Sequence, residues 1–206
     1  MKDILNINPS INKDNRWCNC IVLHDFLGEN VKWQEWFEFV LSFYTKHNLE
    51  PTRLAVNGTH YGNSVKTLTF RGGIKKLQKY NFKGIEYLGF MAMPNTDDYT
   101  TNFIINSSLF PSQKNCKTSK VVICFDEKLE PFNKQSFEEI SIKLHKFTNA
   151  KYGYFYRRHL RNSPASYPTG GNSPFIDEND RVKCRKWELG YNYSDGSYRT
   201  GNLRDI

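Results

Sequence analysis

Residues 21–26 (Ile-Val-Leu-His-Asp-Phe) and residues 121–126 (Val-Val-Ile-Cys-Phe-Asp) are two apolar runs of strand length that stand 100 positions apart. The segments after each run keep that offset. In the first half Trp33, Trp36, Phe37, Val40, Leu41 and Tyr44 recur at three- and four-residue intervals, the period of one helix face. In the second half Phe137, Ile140, Leu144 and Phe147 make a narrower stripe of the same kind. Each stripe leads into a further short apolar segment, residues 53–56 and 154–156, and Leu88, Gly89 and Phe90 are echoed by Leu189, Gly190 and Tyr191 at an offset of 101. The pattern predicts an α+β fold of two tandem β-α-β-β repeats, residues 1–115 and 116–206, packed as one globular unit. Its sheet is expected to be mainly antiparallel, with the helices on one face.

Local signals punctuate these elements. Asn30 is placed to cap the first helix, and Asn48 and Pro51 mark its end. Ser136 followed by Glu139 has capping-box spacing and is expected to start the second helix. Pro94, Asn95, Thr96, Asp97 and Asp98 predict a hairpin turn into residues 101–110, and Asp195 with Gly196 predicts another near the chain end. Between the second and third strands of the first repeat, residues 58–70 read as a loop, with a short helix near Ile74, Leu77 and Tyr80. The equivalent stretch of the second, residues 160–186, holds Pro164, Pro168, Gly170, Gly171 and Pro174, which predict an irregular exposed insertion.

With 15 Phe, 12 Tyr and 4 Trp in 206 residues, the chain has ample material for a core despite its polar average. No apolar stretch approaches the roughly 20 residues of a membrane-crossing helix. Residues 1–6 lack the basic and apolar segments of an export signal, so a cytoplasmic protein is expected. The five cysteines, Cys18, Cys20, Cys116, Cys124 and Cys184, are an odd set without regular spacing, read as reduced thiols. Cys18 and Cys20 fall on the same face of a strand, yet no second close pair completes a zinc site, and no metal or other cofactor is expected.

Catalytic motifs are wanting. The segment Gly58, Thr59, His60, Tyr61, Gly62 lacks the lysine and hydroxyl residue of a phosphate-binding loop, and there is no Gly-x-Ser-x-Gly, His-Glu-x-x-His or Cys-x-x-Cys. His24 and Asp25 with Glu35 or Glu38 are the one acid–base set on offer. Their positions, at a strand end and on the solvated face of a helix, read more simply as structural, and the chain is expected not to be an enzyme.

Formal net charge is +8, and residues 101–206 carry 17 basic and 11 acidic groups against 12 and 10 in residues 1–100. The densest run is Arg157, Arg158, His159 and Arg161, continued across the insertion by Arg181, Lys183, Arg185 and Lys186. Arginine forks recognise carboxylates and phosphates, and Tyr167, Phe175 and Trp187 nearby supply anchoring area. The expected partner-binding surface therefore comprises Arg157, Arg158, His159, Arg161, Tyr167, Phe175, Arg185 and Trp187. His60 and Tyr61 join it from the loop at the matching position of the first repeat. Nucleic acid is the alternative partner, because arginine and aromatic groups also engage phosphate and bases. Against it stand Asp177, Glu178 and Asp180, which interrupt the basic run, and the lack of a known nucleic-acid-binding pattern.

The strand and tryptophan-rich helix of residues 21–44, Tyr152 with Gly153 after the second helix, and the closing Gly201, Asn202, Leu203, Arg204, Asp205, Ile206 together resemble bacterial immunity proteins that neutralise polymorphic toxins, including those delivered by type VI secretion. The last segment is similar to a Gly-x-Leu-Arg-Asp motif near the end of such proteins. The resemblance implies a cytoplasmic antidote whose partner is a cognate protein toxin, neutralised by covering its active site.

Overall fold

The two apolar runs become neighbouring strands at the heart of one sheet. In the computed structural model, which describes residues 16–93, 105–110, 119–160, 164–165, 167–169 and 179, β1 (Trp17–His24) pairs antiparallel with β6 (Lys120–Asp126), Ile21 lying opposite Ile123. All seven residues of β6 are buried, as are seven of the eight in β1. Apolar side chains alternate onto both faces here, which is why these strands lack the polar–apolar alternation of a half-exposed sheet.

Around them β2 (Arg53–Gly58), β3 (Gly62–Thr69), β4 (Ile85–Ala92), β5 (Ile105–Phe110) and β7 (Tyr152–His159) complete a seven-stranded sheet in the order β3-β2-β4-β5-β6-β1-β7. Every neighbouring pair is antiparallel. Three helices, α1 (Trp33–Lys46), α2 (Phe70–Lys79) and α3 (Lys134–Thr148), bury their apolar stripes in one cluster on one face of the sheet. A smaller cluster of Cys18, Cys20, Val22, Val122, Cys124 and Leu160 lies on the other.

The α+β class, the antiparallel sheet and the single helical face are as the sequence predicts. The tandem organisation is not established by the topology. From β1 the chain crosses on α1 past three strands to reach β2, whereas from β6 it crosses on α3 past β1 alone to reach β7. The closer internal likeness is between β3-α2-β4, which encloses β2, and β6-α3-β7, which encloses β1. The sheet runs unbroken through the β5–β6 pairing on either side of the expected boundary at residue 115. Residues 187–193, the last matched segment, lie outside the described residues, as do the two turns expected at residues 94–98 and 195–196.

Three local expectations are corrected. Residues 58–70 are no loop: β3 occupies most of that stretch, because Lys66, Thr67, Leu68 and Thr69 pair register by register with β2. Asn30 ends a short 3₁₀ turn, and α1 begins at Trp33 with no side-chain cap. The N–H of Lys32 bonds instead to the Phe147 carbonyl at 3.1 Å, tying this end to α3. The start of α3 is capped by Asn133, whose side-chain oxygen accepts from the Ser136 N–H at 3.3 Å. Ser136 Oγ donates to Glu130, and Glu139 accepts from Gln135, so no capping box forms.

Aromatic side chains bind α1 to the sheet by both contact and hydrogen bond. Trp36 meets Phe90 of β4 and Phe147 of α3, and its Nε1 donates to the Leu88 carbonyl at 3.3 Å. The hydroxyl of Tyr44, fully buried, reaches the Phe90 carbonyl at 2.9 Å and the Ile105 carbonyl at 3.2 Å, spanning β4 and β5. Tyr44→Phe keeps the ring but strands these acceptors, and is expected to lower stability by roughly 1–3 kcal/mol in urea unfolding with little change in m.

Candidate functional site

Adjacent residues of a strand point to opposite faces, so the run Arg157, Arg158, His159 at the end of β7 divides between the two sides of the sheet. Arg157 falls on the helical side, where its guanidinium lies 4.0 Å from the centre of the Trp17 ring. It also forks onto Glu127, with Nε at 2.7 Å and Nη2 at 3.0 Å from the two carboxylate oxygens. That fork holds the Glu127 carboxyl below its usual range and raises the arginine. Trp17 in turn lies against His159, ring centres 3.5 Å apart.

Arg158 falls on the other side, 4.4 Å from the Tyr167 ring, which packs against Tyr156 at 5.2 Å. Tyr156 donates to the Pro164 carbonyl, so Pro164 and Tyr167 both lie against this face of β7. Two arginines are thus held over aromatic rings on either side of one strand end, with the Arg157 charge also matched by Glu127.

The strand end depends on β7 lying close against β1. A Cβ at Gly153 would sit 2.2 Å from Leu23 Cδ2 and 2.5 Å from the Val22 carbonyl oxygen, so glycine is required for that approach.

The remaining expected contacts are not gathered here. Arg161, Phe175, Arg185 and Trp187 lie outside the described residues. His60 and Tyr61 sit at the β2–β3 turn, five strand spacings from β7, roughly 24 Å away. That turn is also at the opposite end of the strands, because β2 runs parallel to β1 and Trp17 at the start of β1 pairs with His159. His60 is exposed and stacked on Tyr80 at 5.0 Å, whereas Tyr61 is 1% exposed and presents almost no surface. Among the described residues, the β2–β3 turn and the end of β7 thus lie at opposite corners of the sheet.

The acid–base set is not assembled either. His24 is fully buried between Tyr152 and Tyr154, ring centres 5.2 and 5.6 Å away, with Nδ1 3.3 Å from the Ser119 carbonyl oxygen. Asp25 pairs with Lys151 at 3.1 Å, Glu35 with Lys32 at 3.1 Å, and Glu38 accepts from Gln34 at 3.0 Å. Cys18, Cys20 and Cys124 are buried, with Cys20 directly opposite Cys124. Among the described residues no cluster of three or more His, Cys, Asp or Glu could hold a metal ion, and no helix is long and apolar enough to cross a membrane.

Sequence reading missed a second charged region. Between residues 57 and 85 there are six Lys or Arg and no Asp or Glu, a concentration that a half-chain average conceals. Counting charge in short windows rather than by halves would have found it.

No protein-family model matches the chain, and no curated protein matches it. Among solved structures it is similar to the Pseudomonas aeruginosa T6SS protein PA0821, at a TM-score of 0.46 and 10% identity over 74% of this chain and 44% of that one. The chain thus spans less than half the length of that protein. At this level the likeness carries no argument about what the chain does.

Burial pushes the His24 imidazole down to about 4 from 6.5, helped by the neighbouring Lys120 charge. The unfolded chain takes up that proton near the ordinary value and the folded chain does not, so stability is lost as pH falls below about 6.5. Between about pH 7.5 and pH 5 the loss is expected to be about 2 kcal/mol, read from urea midpoints. In His24→Gln the same interval should show a visibly flatter dependence, whatever that variant's stability at neutral pH.

Proposed function

We propose that this chain is a cytoplasmic immunity protein that binds a cognate secreted bacterial toxin, of the kind delivered by type VI secretion, and neutralises it by covering the toxin's active site. The observation that carries the reading is the paired arrangement of Arg157 over Trp17 and Arg158 over Tyr167 at the end of β7. Arginine and large aromatic groups are the residues that dominate binding energy at protein interfaces, and rings that fix a guanidinium reduce the entropy lost on association. An acidic, concave toxin site complements such a projection.

The resemblance of residues 21–44, 152–153 and 201–206 to immunity proteins supplies the class of partner. The arrangement of His24, Asp25, Glu35 and Glu38 supports a binding role over a catalytic one, since each is engaged apart from the others. In this reading His159, Arg161, Phe175, Arg185 and Trp187 extend the contact surface, and the toxin is the partner rather than nucleic acid or membrane.

The test is co-expression with a toxin encoded beside this gene. Wild-type protein is expected to co-purify with that toxin and to protect cells from it. Replacing Arg157, Arg158 and Arg161 together with Glu should weaken binding by at least roughly tenfold, while the circular-dichroism spectrum stays near wild type and the melting transition falls only modestly from loss of the exposed Arg157–Glu127 pair. Unchanged affinity in the folded triple variant would remove the β7 end from the interface, and failure to protect would remove the immunity reading.

A further inference from the structure

The corner of the sheet farthest from β7 carries a different kind of surface. Of the six cations between residues 57 and 85, Lys66 is on β3, Arg71, Lys75, Lys76 and Lys79 are on α2, and Lys83 lies just beyond it. Arg71, Lys75 and Lys79 stand four residues apart and are all exposed, so like charges line one stripe of the helix. Like charges at that spacing oppose helix formation, and only the lysines of the last turn gain from the helix dipole. None of the six forms an ion pair with a described residue, whereas Glu127, Glu130, Asp25 and Glu35 elsewhere are all matched.

Beside this stripe runs an outermost strand. β3 pairs only with β2 among the described strands, and its residues from Asn63 to Thr67 are exposed. Val65 is half exposed, on the face opposite Leu68, the strand's other large apolar residue. A free strand edge presents amide donors and carbonyl acceptors in alternation, which natural proteins usually block with proline, bulges or inward charges. Here the outer strand is eight residues long and has no proline, and the register shift in its pairing with β2 is confined to the Gly62 end.

We propose that this edge docks an acidic, extended polypeptide segment of a partner protein, which adds as an eighth strand beside β3 in the field of the α2 cations. The proposal rests on the reading that the chain acts by binding a protein, and it names the partner's contact chemistry at a place away from the β7 end. Side chains of the added strand that face the helices meet Lys66, with Lys76 held nearby by its bond to the Tyr61 carbonyl at 3.3 Å. Those on the other face lie along Val65, Thr67 and Thr69. Alternating acidic and β-branched residues are the sequence that fits.

Nucleic acid fits less well. The carbonyls of a strand edge repel phosphate, only one of the six cations is an arginine, and the local rings are already engaged, Tyr80 by His60 and Tyr61 by burial. A second copy of the chain would set Lys66 and α2 against their own charge.

The test is amide chemical-shift mapping on the full ¹⁵N-labelled chain. The probe is a synthetic peptide matching the eight residues of β3, alternating Glu with Val and Thr. Shifts are expected to concentrate at Gly62–Thr69. Affinity should fall roughly tenfold or more when alternate peptide nitrogens are methylated, and by a similar factor in the Lys66→Glu, Lys75→Glu, Lys79→Glu variant, whose spectrum reports its fold. Shifts confined to other residues, equal binding of the methylated peptide, or duplex DNA shifting the same amides at lower concentration would each overturn the proposal. The titration contains no toxin, so failure of the toxin reading is seen separately in the co-expression experiment.

Discussion

Strand β1 is bonded on both sides, to β6 through seven residue pairs and to β7 through eight. That double pairing joins the beginning of the described chain to its second half and makes one sheet of what the sequence presents as two units. Burial is the result. With neighbours on both edges and apolar layers on both faces, Cys20, Ile21 and Val22 are wholly removed from water. The helices then close one face, α1 and α3 meeting through Trp36, Phe39 and Phe147, while Phe43 of α1 rests on Phe125 of β6.

The elements legible in the sequence are those whose signal is local. The stripe of Trp36, Val40 and Tyr44 declares a helix by period alone, and the runs at residues 21–26 and 121–126 declare buried strands by length and β-branching. The arrangement was not legible, because a crossover past three strands and one past a single strand leave the same trace in a linear pattern. β3 was obscured by its exposure: polar residues facing solvent on an outer strand resemble a loop when burial is unknown. The capping of α3 went to Asn133 rather than Ser136 because Glu130, which also holds Lys46 of α1, draws the serine hydroxyl away.

The candidate site divides in the same manner. Arg157, Arg158 and Tyr167 were recognisable from charge and aromatic content, but their separation onto two sides of a strand comes from β7 extending as far as His159. The pairing of His60 and Tyr61 with that cluster relied on an equivalence of positions that the sheet order does not honour. Charge was read too coarsely as well: the acids of α1 and its flanks offset the cations of residues 57–85 in any sum taken over the first hundred residues.

The partnership of β1 with β7 has a consequence for how the chain is made. His24 faces Tyr152 across 128 positions, so during synthesis an apolar strand emerges long before either of its neighbours exists. Contacts this distant in sequence slow the search for the native state, and the waiting strand is adhesive. A ribosome-bound fragment ending before residue 120 lacks both strands that flank β1, so β1 can take its native pairing only after they have been translated.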